Sequence, residues 1–302
     1  MSQKLCILLQ TNDEYEFLWE GLFLSWHLNW LWTQFPWPVF VITETKEFSS
    51  CHPACNWTTL KVGEDVKSAS HFSTKLVRGL NQLEEMGYEF VFYGQDDSWP
   101  ECAPDSSILR SGWNLFLAEN LDGLYVHQHS RHFPFSLGPT GHFLSGKRVR
   151  KFMVGSRFAY NHGSGWWRIP FLKSVQMTGE HASVNESLAT DRAWEQGFKI
   201  WIVSVDWYDQ SKIHAGGILK PEAEEMLSQL RFSFRWETEE KFACYPVAFD
   251  GSIIPVDIGS KEWKEIPYAQ KKTLYSGSHG PHFSYAWEAL PPRNNKHSMV
   301  LR

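Results

Sequence analysis

The chain has 302 residues, of which 42% are hydrophobic and 21% charged, and its formal net charge is −5. This length is sufficient for one large α/β domain with a small appendage. Nucleic-acid-binding proteins usually carry an excess of Lys and Arg. The weakly acidic balance of this sequence therefore predicts no nucleic-acid partner.

Strand and helix signals alternate along the first 127 residues. Short apolar runs predict buried strands at residues 4–9, 39–43, 57–62, 88–93 and 124–127. Apolar residues at helical spacing predict helices at residues 15–32, 68–86 and 105–121. The last helix is expected to begin at a Pro-Asp-Ser-Ser cap. This order predicts an α/β fold with a doubly wound, mostly parallel sheet and helices on both of its faces.

The second half of the sequence gives weaker signals. Residues 130–180 are rich in Gly, His, Pro and Trp, and we predict that they are irregular. Beyond them, the pattern predicts helices at 184–196 and 221–230 and a strand at 199–205. From about residue 231 the apolar periodicity fades. Residues 231–302 are therefore predicted to form a C-terminal extension that packs on the same domain.

Aromatic residues are unusually frequent. The sequence has 16 Trp, 21 Phe and 10 Tyr, together 16% of the chain. Aromatic rings stack on the faces of sugars and bases, so this excess is typical of a carbohydrate-binding protein. Large rings also dominate the burial of protein cores, and we expect about three quarters of these residues to serve packing.

The cysteines and the N-terminus bear on the cellular compartment. Five sparsely spaced cysteines do not indicate a disulfide framework. Cys51 and Cys55 flank a His-Pro-Ala segment, but no second ligand pair with zinc-like spacing follows them. The apolar run at residues 4–9 is too short for a signal peptide or a membrane span. These features predict a cytosolic protein without a membrane span.

Two adjacent carboxylates, Asp96 and Asp97, follow the predicted strand at residues 88–93. Ligands of open α/β sheets bind beyond the carboxyl ends of the strands. Neighbouring carboxylates repel each other unless a cation lies between them and a ligand, and Mg²⁺ or Mn²⁺ with phosphate oxygens suits such a position. The alternative is a surface turn in which the two Asp residues act as caps.

A polar loop, Thr11-Asn12-Asp13-Glu14-Tyr15, follows the first predicted strand. In a doubly wound sheet it lies at the same edge as the two Asp residues. Small polar groups next to an aromatic ring suit a base and a ribose. Asn12 or Asp13 would equally suit the N-cap of the helix that begins near Tyr15, and both roles are compatible.

Several common catalytic motifs are absent from the sequence. It contains no G-x-G-x-x-G and no G-x-x-x-x-G-K-[ST], so nothing local supports a dinucleotide-dependent enzyme or a P-loop NTPase. G-x-S-x-G and H-E-x-x-H are also missing. Histidines are frequent between residues 127 and 214, but their spacing matches no known metal site, and we expect most of them to form hydrogen bonds.

The irregular segment contains two further candidates for ligand binding. Trp166, Trp167 and the loop at residues 160–163 combine aromatic rings with glycine. Such segments beside a sheet edge are typical of mobile binding loops, which would here line a ligand-binding site. A structural crossover packed by the two Trp residues is the alternative.

Four segments in order resemble a known family. They are LCILLQTNDEYEFLWEGLFLSW, HFSTKLVRGLNQLEEMGYEFVFYGQDDSWP, NESLATDRAWEQGFKIWIV and KIHAGGILKPEAEEML. Together they resemble the GT-A-fold (Rossmann-like) glycosyltransferases of large algal viruses (chloroviruses) and of bacterial surface-polysaccharide clusters. The resemblance covers about residues 4–230, and its second segment is the most specific.

The resemblance implies transfer of a sugar from a UDP- or GDP-linked donor to a hydroxyl of a glycan acceptor. It also implies a Mn²⁺ or Mg²⁺ cofactor and a cytoplasmic enzyme, in the host cytoplasm for a viral member. A GT-A-like catalytic domain would span residues 1–230. Its nucleotide-sugar half would be about residues 1–125, its acceptor half about 126–230, and 231–302 would be the extension.

The resemblance also assigns the donor site. Asp97 stands at the last Asp of the family's D-x-D motif and would be a direct metal ligand, with Asp96 on the ribose, on the sugar or on the metal through water. Gln95 stands at the first Asp and departs from the motif. The other implied positions are Thr11, Asp13 and Tyr15 in the nucleotide loop, Ser73 or Lys75 on the nucleotide or its phosphates, and His214 as a late metal ligand or diphosphate contact.

Glu186 falls where the family has a later acid, on a helix that faces the acceptor. Inversion at an anomeric carbon needs a general base near the acceptor hydroxyl, and a carboxylate is suitable. We therefore expect Glu186 to be the base of an inverting reaction, with Asp191 as the next candidate. The competing interpretation is a helix N-terminal acid stabilised by the helix dipole.

Two other functions are compatible with the sequence. Because Gln95 departs from the acidic motif, a module that binds a nucleotide-sugar or a glycan without catalysis is the main alternative. A nucleotidyltransferase that makes a nucleotide-sugar is the third. That class usually carries a Gly-rich, basic loop after the first strand, and Gln10-Thr11-Asn12-Asp13 contains neither glycine nor a basic residue.

Overall fold

The computed structural model describes residues 4–49, 56–67, 71–127, 137–156, 158–205, 213–215, 218–219, 223 and 225–227. The five helices are α1 (Glu16–Asn29), α2 (Phe72–Glu85), α3 (Ser106–Ala118), α4 (Ile169–Val175) and α5 (Ala182–Glu195). The first five strands are β1 (Leu5–Gln10), β2 (Val39–Thr43), β3 (Thr58–Lys61), β4 (Phe90–Gln95) and β5 (Gly123–His127). They are followed by β6 (Leu137–Leu144), β7 (Lys147–Phe152), β8 (Gly165–Arg168), β9 (Ile200–Ser204), β10 (His214–Ala215) and β11 (Ile218–Leu219).

Nine strands form one sheet in the order β3-β2-β1-β4-β8-β5-β9-β7-β6. The pairs β3–β2, β2–β1, β1–β4 and β5–β9 are parallel. Only β8 and β7 run against the rest, since each pairs antiparallel with both of its neighbours. The predicted α/β class with a mostly parallel sheet is therefore confirmed.

The central strands of the sheet are buried on both faces, as their continuous apolar runs require. Leu5, Ile7 and Leu9 of β1 pack into a core shared with α1 and α3. Cys6 and Leu8 point to the opposite core, which α2, α4 and α5 cover. Helices thus lie on both faces of the sheet, as predicted.

Sequence periodicity located most elements of the first half. The strand at 39–43 has the predicted bounds, and Asp105 caps α3 by accepting hydrogen bonds from the backbone N–H groups of Ser107 and Ile108. The prediction that residues 130–180 are irregular was wrong, because β6, β7, β8 and α4 all lie there. Residues 231–302 lie outside the described residues. No helix in the described part of the chain is long and apolar enough to cross a membrane.

β8 explains why the irregular segment was misread. Its sequence is Gly-Trp-Trp-Arg, and it is inserted antiparallel between β4 and β5. Trp166 and Trp167 project to opposite faces of the sheet and are fully buried, one in each core. They are packing residues, so the expectation that they line a ligand-binding site was wrong and the structural alternative is correct.

Helix α1 approaches the residues after β4 closely because it carries Gly21. A Cβ atom added at this position would lie 2.1 Å from the ring of Trp99. Trp99 is fully buried, so its ring has little room to move away. Gly21 is therefore a packing requirement of the contact between α1 and the turn that follows β4.

We expect Gly21→Ala to lower the free energy of unfolding by about 1–3 kcal/mol, because overpacking outweighs the gain in helix propensity. Urea denaturation of the full chain measures this. Ser187→Ala, at an exposed position of α5, is the matched control and should leave the midpoint unchanged. An unchanged midpoint for Gly21→Ala would contradict the packing argument.

Candidate functional site

The acidic pair lies in a tight turn at the carboxyl end of β4. Within this turn the N–H of Ser98 donates to the carbonyl of Gln95 over 3.0 Å, and the N–H of Gln95 donates to the hydroxyl of Ser98 over 3.2 Å. Asp96 is buried and Asp97 is half-buried. We call residues 95–99 the acidic turn.

Indole N–H groups hold the acidic turn in place. Trp99 donates to the carbonyl of Asp96 over 2.8 Å, and Trp26 of α1 donates to the carbonyl of Ser98 over the same distance. Both indoles are fully buried. These bonds satisfy carbonyl groups that would otherwise be buried without partners, which would be costly.

The loop after β1 reaches the acidic turn directly. The hydroxyl of Thr11 donates to the Asp96 carboxylate over 2.7 Å and accepts a hydrogen bond from the indole N–H of Trp19 over 2.9 Å. Its single proton is therefore committed to Asp96. Thr11 positions that carboxylate, and its predicted direct contact with a nucleotide stays a prediction.

Asp13 is tied to the loop after β2. Its carboxylate accepts hydrogen bonds from the backbone N–H groups of Glu44, Thr45 and Lys46 and from the Thr45 hydroxyl at 2.6 Å. Burial opposes ionisation, but these hydrogen bonds together hold the pKa of Asp13 below its ordinary value. The interpretation of Asn12 or Asp13 as a helix cap was wrong, because neither forms a side-chain cap hydrogen bond.

A buried ion pair lies behind this loop. The Lys75 ammonium is 2.5 Å from the Glu44 carboxylate, and each side chain is 1% exposed. Lys75 also donates to the side-chain oxygen of Asn12, and the second oxygen of Glu44 accepts the N–H of Asp13. Burial raises the pKa of Glu44, and the contact with Lys75 partly offsets that rise. Glu44 and Lys75 thus join α2 to the loops after β1 and β2.

Ser73 makes its contacts within the protein. Its hydroxyl donates to the carbonyl of Met177 and accepts the N–H of Glu180 over 3.1 Å. The Glu180 side chain in turn accepts a bidentate pair from Arg192 of α5, at 2.9 and 2.6 Å. Ser73 therefore anchors the segment that leads into α5.

Helix α5 brings Glu186 to the same edge of the sheet. Its carboxylate accepts the backbone N–H of His162 over 3.1 Å, from the segment that leads into β8. Burial raises the pKa of Glu186, the charge on Asp97 raises it further, and the His162 bond opposes the rise. Asp97 and Glu186 are thus electrostatically coupled across the site.

The antiparallel direction of β8 explains the position of His162. Because Gly165 pairs with Tyr93 near the end of β4, the residues before β8 lie at the edge that holds the acidic turn. His162 is buried, and burial lowers the pKa of its imidazole to about 3. Its ring packs against that of Phe72, with 4.4 Å between the ring centroids, so the side chain is a neutral packing group. The backbone N–H of His162, not the ring, donates to Glu186.

The remaining predicted residues lie in different surroundings. Tyr15 is half-buried, and its pKa is raised by burial and by the charges of Asp96, Glu14 and Asp97, which places it near the acidic turn. Asp191 is exposed and lies five residues after Glu186, about 140° around the helix. The backbone of His214 pairs with Leu219, and its side chain is outside the described part of the structure.

The acidic turn suits a hard divalent cation. Mg²⁺ is commonly held by one or two carboxylates together with substrate phosphates rather than by a cage of protein ligands. Asp97, half-buried beside Asp96, supplies such a donor set, and no group of three or more potential metal ligands occurs among the described residues. The residues present therefore fit a cation that is shared with a phosphate ligand.

Sequence reasoning missed several residues of this edge. Glu44 follows β2 without a recognisable motif, and its partner Lys75 lies 31 positions later. Asn12 was considered as part of the polar loop or as a cap, and its contact with Lys75 was not predicted. The indole donors Trp19, Trp26 and Trp99 were treated as part of a general aromatic excess. No pattern within one element indicates such contacts, because each depends on tertiary packing.

Comparisons with known proteins give distant structural neighbours. No protein-family model and no curated protein matches the chain. A crystal structure of S. aureus TarS shares 13% identity with a TM-score of 0.44, covering 96% of this chain and 50% of TarS. TarS 1–349 in complex with UDP-GlcNAc shares 14% identity with a TM-score of 0.46, covering 95% of this chain and 88% of that fragment. The UTP-bound UGPase of Acinetobacter baumannii shares 8% identity with a TM-score of 0.45, covering 79% of this chain and 99% of the UGPase chain.

These similarities are too distant to assign a ligand. The chain spans half the length of the TarS structure that it matches. What the chain binds must therefore be inferred from its own residues.

We expect Lys75→Met to destabilise the fold by about 3–5 kcal/mol, because it leaves the Glu44 carboxylate buried without its cation. The double variant Lys75→Met/Glu44→Gln should recover most of that loss, since no unpaired charge remains. Urea denaturation of the four members of this cycle measures the coupling.

Lys67→Met removes a cation from the exposed pair with Glu64 and is the matched control, with no measurable change expected. Equal destabilisation by Lys75→Met and by the double variant would contradict the ion-pair interpretation.

Proposed function

We propose that this protein is a glycosyltransferase that uses a nucleotide-sugar donor and a divalent cation. The observation that carries the proposal is the convergence, at one edge of the sheet, of the acidic turn with Glu186, whose pKa is raised by burial and by Asp97. Carboxylates that bind a cation suit the departure of a diphosphate. A separate carboxylate with a raised pKa suits the activation of an acceptor hydroxyl.

The donor would lie along the carboxyl ends of β1, β2 and β4. Asp97 would hold Mn²⁺ or Mg²⁺, and the bound cation would neutralise negative charge on the departing diphosphate. Asp96 is oriented by Thr11 and is positioned to contact the ribose, the sugar or a metal-bound water. Tyr15 offers a half-buried ring to the base.

Glu186 would act as the general base. It accepts the proton of the acceptor hydroxyl while that oxygen forms a bond to the anomeric carbon, and the bond from that carbon to the diphosphate oxygen breaks. Attack opposite the leaving group inverts the anomeric configuration. The backbone N–H of His162 holds one carboxylate oxygen, and the other would accept the proton.

None of these contacts identifies the sugar, the nucleotide or the acceptor glycan. We propose a UDP- or GDP-linked hexose, deoxyhexose or pentose as donor. A binding module without catalysis is the alternative, because Gln95 supplies an amide where a third carboxylate would strengthen cation binding. Turnover distinguishes these two functions.

We expect metal-dependent release of the nucleoside diphosphate from one donor of a panel of UDP- and GDP-sugars. Mn²⁺ should support the release, EDTA should abolish it, and Asp97→Ala should remove it while the protein stays folded. Nucleotide binding measured by calorimetry without any release would favour the binding module. Failure to bind any nucleotide would contradict both functions.

We expect Glu186→Gln to lower kcat about 10²–10⁴-fold, the usual contribution of a general base, with little change in the donor KM. Steady-state kinetics with the active donor and its acceptor measure this. Asp191→Asn, an exposed position on the same helix, should retain wild-type kcat. Near-normal turnover of Glu186→Gln would exclude Glu186 as the base.

The pH profile provides an independent test of the same carboxylate. Only the ionised form of Glu186 accepts a proton, so kcat/KM should fall as the pH is lowered through its pKa. Because burial raises that pKa, the acidic limb should lie above the ordinary range of a glutamate side chain. The limb should disappear in Glu186→Gln, and a profile that keeps it would assign it to another group.

A further inference from the structure

A second cleft opens at the opposite end of the sheet from the acidic turn. It has a volume of about 510 Å³ and is bounded by the C-terminal half of α1 and by the beginnings of β2 and β3. This volume is within the usual range of small-molecule sites, about 300–1,000 Å³. β2 runs from the cleft toward the acidic edge over five residues, about 16 Å. The cleft is therefore separate from the proposed donor site.

Three tryptophans dominate the walls of the cleft. Trp32, Trp37 and Trp57 line it, and all three are partly exposed, unlike the fully buried indoles that hold the acidic turn. The ring of Trp57 is fixed from behind by a stacked contact with Phe48, with 5.3 Å between ring centroids. A rigid, partly exposed indole is a ready platform for a ligand with a flat apolar face, because little side-chain entropy is lost on binding.

The polar side chains that line the cleft are hydrogen-bonding groups, and His27 is the titratable one among its described residues. The indole N–H groups of Trp37 and Trp57 meet no acceptor within the described part of the chain, and Asn56 and Thr58 are exposed at the rim. Among the residues that the structure describes, no Asp, Glu, Lys or Arg lines the cleft. A nucleotide would need a cationic group in the cleft to pair with its phosphates. An acidic or basic peptide would need cleft side chains of the opposite charge.

A pyranose matches this combination. Its C–H faces are apolar and stack on indole rings, while its rim of hydroxyl groups pairs with neutral donors and acceptors. We propose that the cleft between α1, β2 and β3 binds a neutral oligosaccharide. It is a glycan-holding site distinct from the site of transfer.

Such a site would act on a glycosyltransferase by tethering its acceptor. A glycan that is held at this end of the sheet has a raised effective concentration near the edge that carries Glu186. The binding property itself stands apart from the proposed transfer reaction, because it is measured without a donor sugar.

The test is calorimetry and saturation-transfer NMR on the full chain with maltotriose, cellotriose, chitotriose and mannotriose, without nucleotide or metal. We expect at least one trisaccharide to bind, and Trp57→Ala to weaken that binding at least tenfold. Thr58→Arg, which places a long side chain at the exposed rim without removing a packed ring, should weaken it similarly. If Trp57→Ala unfolds the protein, Thr58→Arg still tests the inference.

Phe143→Ala is the matched control. It removes an exposed aromatic ring from β6, the opposite edge strand of the sheet, and should bind the trisaccharide as the wild type does. Absence of binding by all four trisaccharides at millimolar concentration would overturn the inference. So would binding that neither cleft variant changes, or displacement of the sugar by uridine alone, which would identify a base-stacking site.

Discussion

The candidate site depends on indole N–H groups that hold a backbone turn. A tight turn carrying two carboxylates is unfavourable by itself, since like charges lie close together and its carbonyl groups are withdrawn from water. Trp26 and Trp99 satisfy two of these carbonyls, and Trp19 orients the threonine that donates to Asp96. Each such bond contributes only about 0.5–1.5 kcal/mol, but leaving its acceptor unpaired would cost more. The aromatic excess is thus partly a device for positioning charge.

The second support of the site is ionic. The pair between Lys75 and Glu44 is fully enclosed, so its attraction must offset the loss of hydration of two charges. Additional hydrogen bonds to Asn12 and Asp13 complete the coordination of both groups. Such a network defines one arrangement of α2 and the loops after β1 and β2 rather than simply adding stability. The groups of a functional site must be held within about 0.5 Å of their working geometry, and such definition provides this.

Sequence reasoning located the elements whose signal is local. β1 and β2 are continuous apolar runs, and α2 has a clear apolar stripe, so these elements and the acidic turn could be placed along the chain. β8 was missed because four residues with two large rings look like an aromatic loop until their position between β4 and β5 is known. β6 and β7 have exposed, polar faces at the edge of the sheet and therefore give little apolar signal.

Within the site, residue type predicted proximity better than role. Asp97 and Glu186 were predicted for one site and interact electrostatically, whereas their roles and that of Asp96 stay predictions. Thr11, Asp13, Ser73 and Lys75 lie at the expected edge, but their polar atoms serve the framework through partners as far as 107 positions away. The chemistry of one side chain cannot reveal whether its hydrogen-bonding capacity is already used by a distant segment.

The order of strands in the sheet has a consequence for the growing polypeptide. β1, β2, β3 and β4 are neighbours in space as well as in sequence, so they can pair before β5, β8 and β9 have been synthesised. The acidic turn and its indole contacts all come from residues 11–99. Glu186 leaves the ribosome much later. A nascent chain can therefore pair the strands that lead to the acidic turn well before it gains Glu186, so the carboxylates of this edge are synthesised in two separate stages.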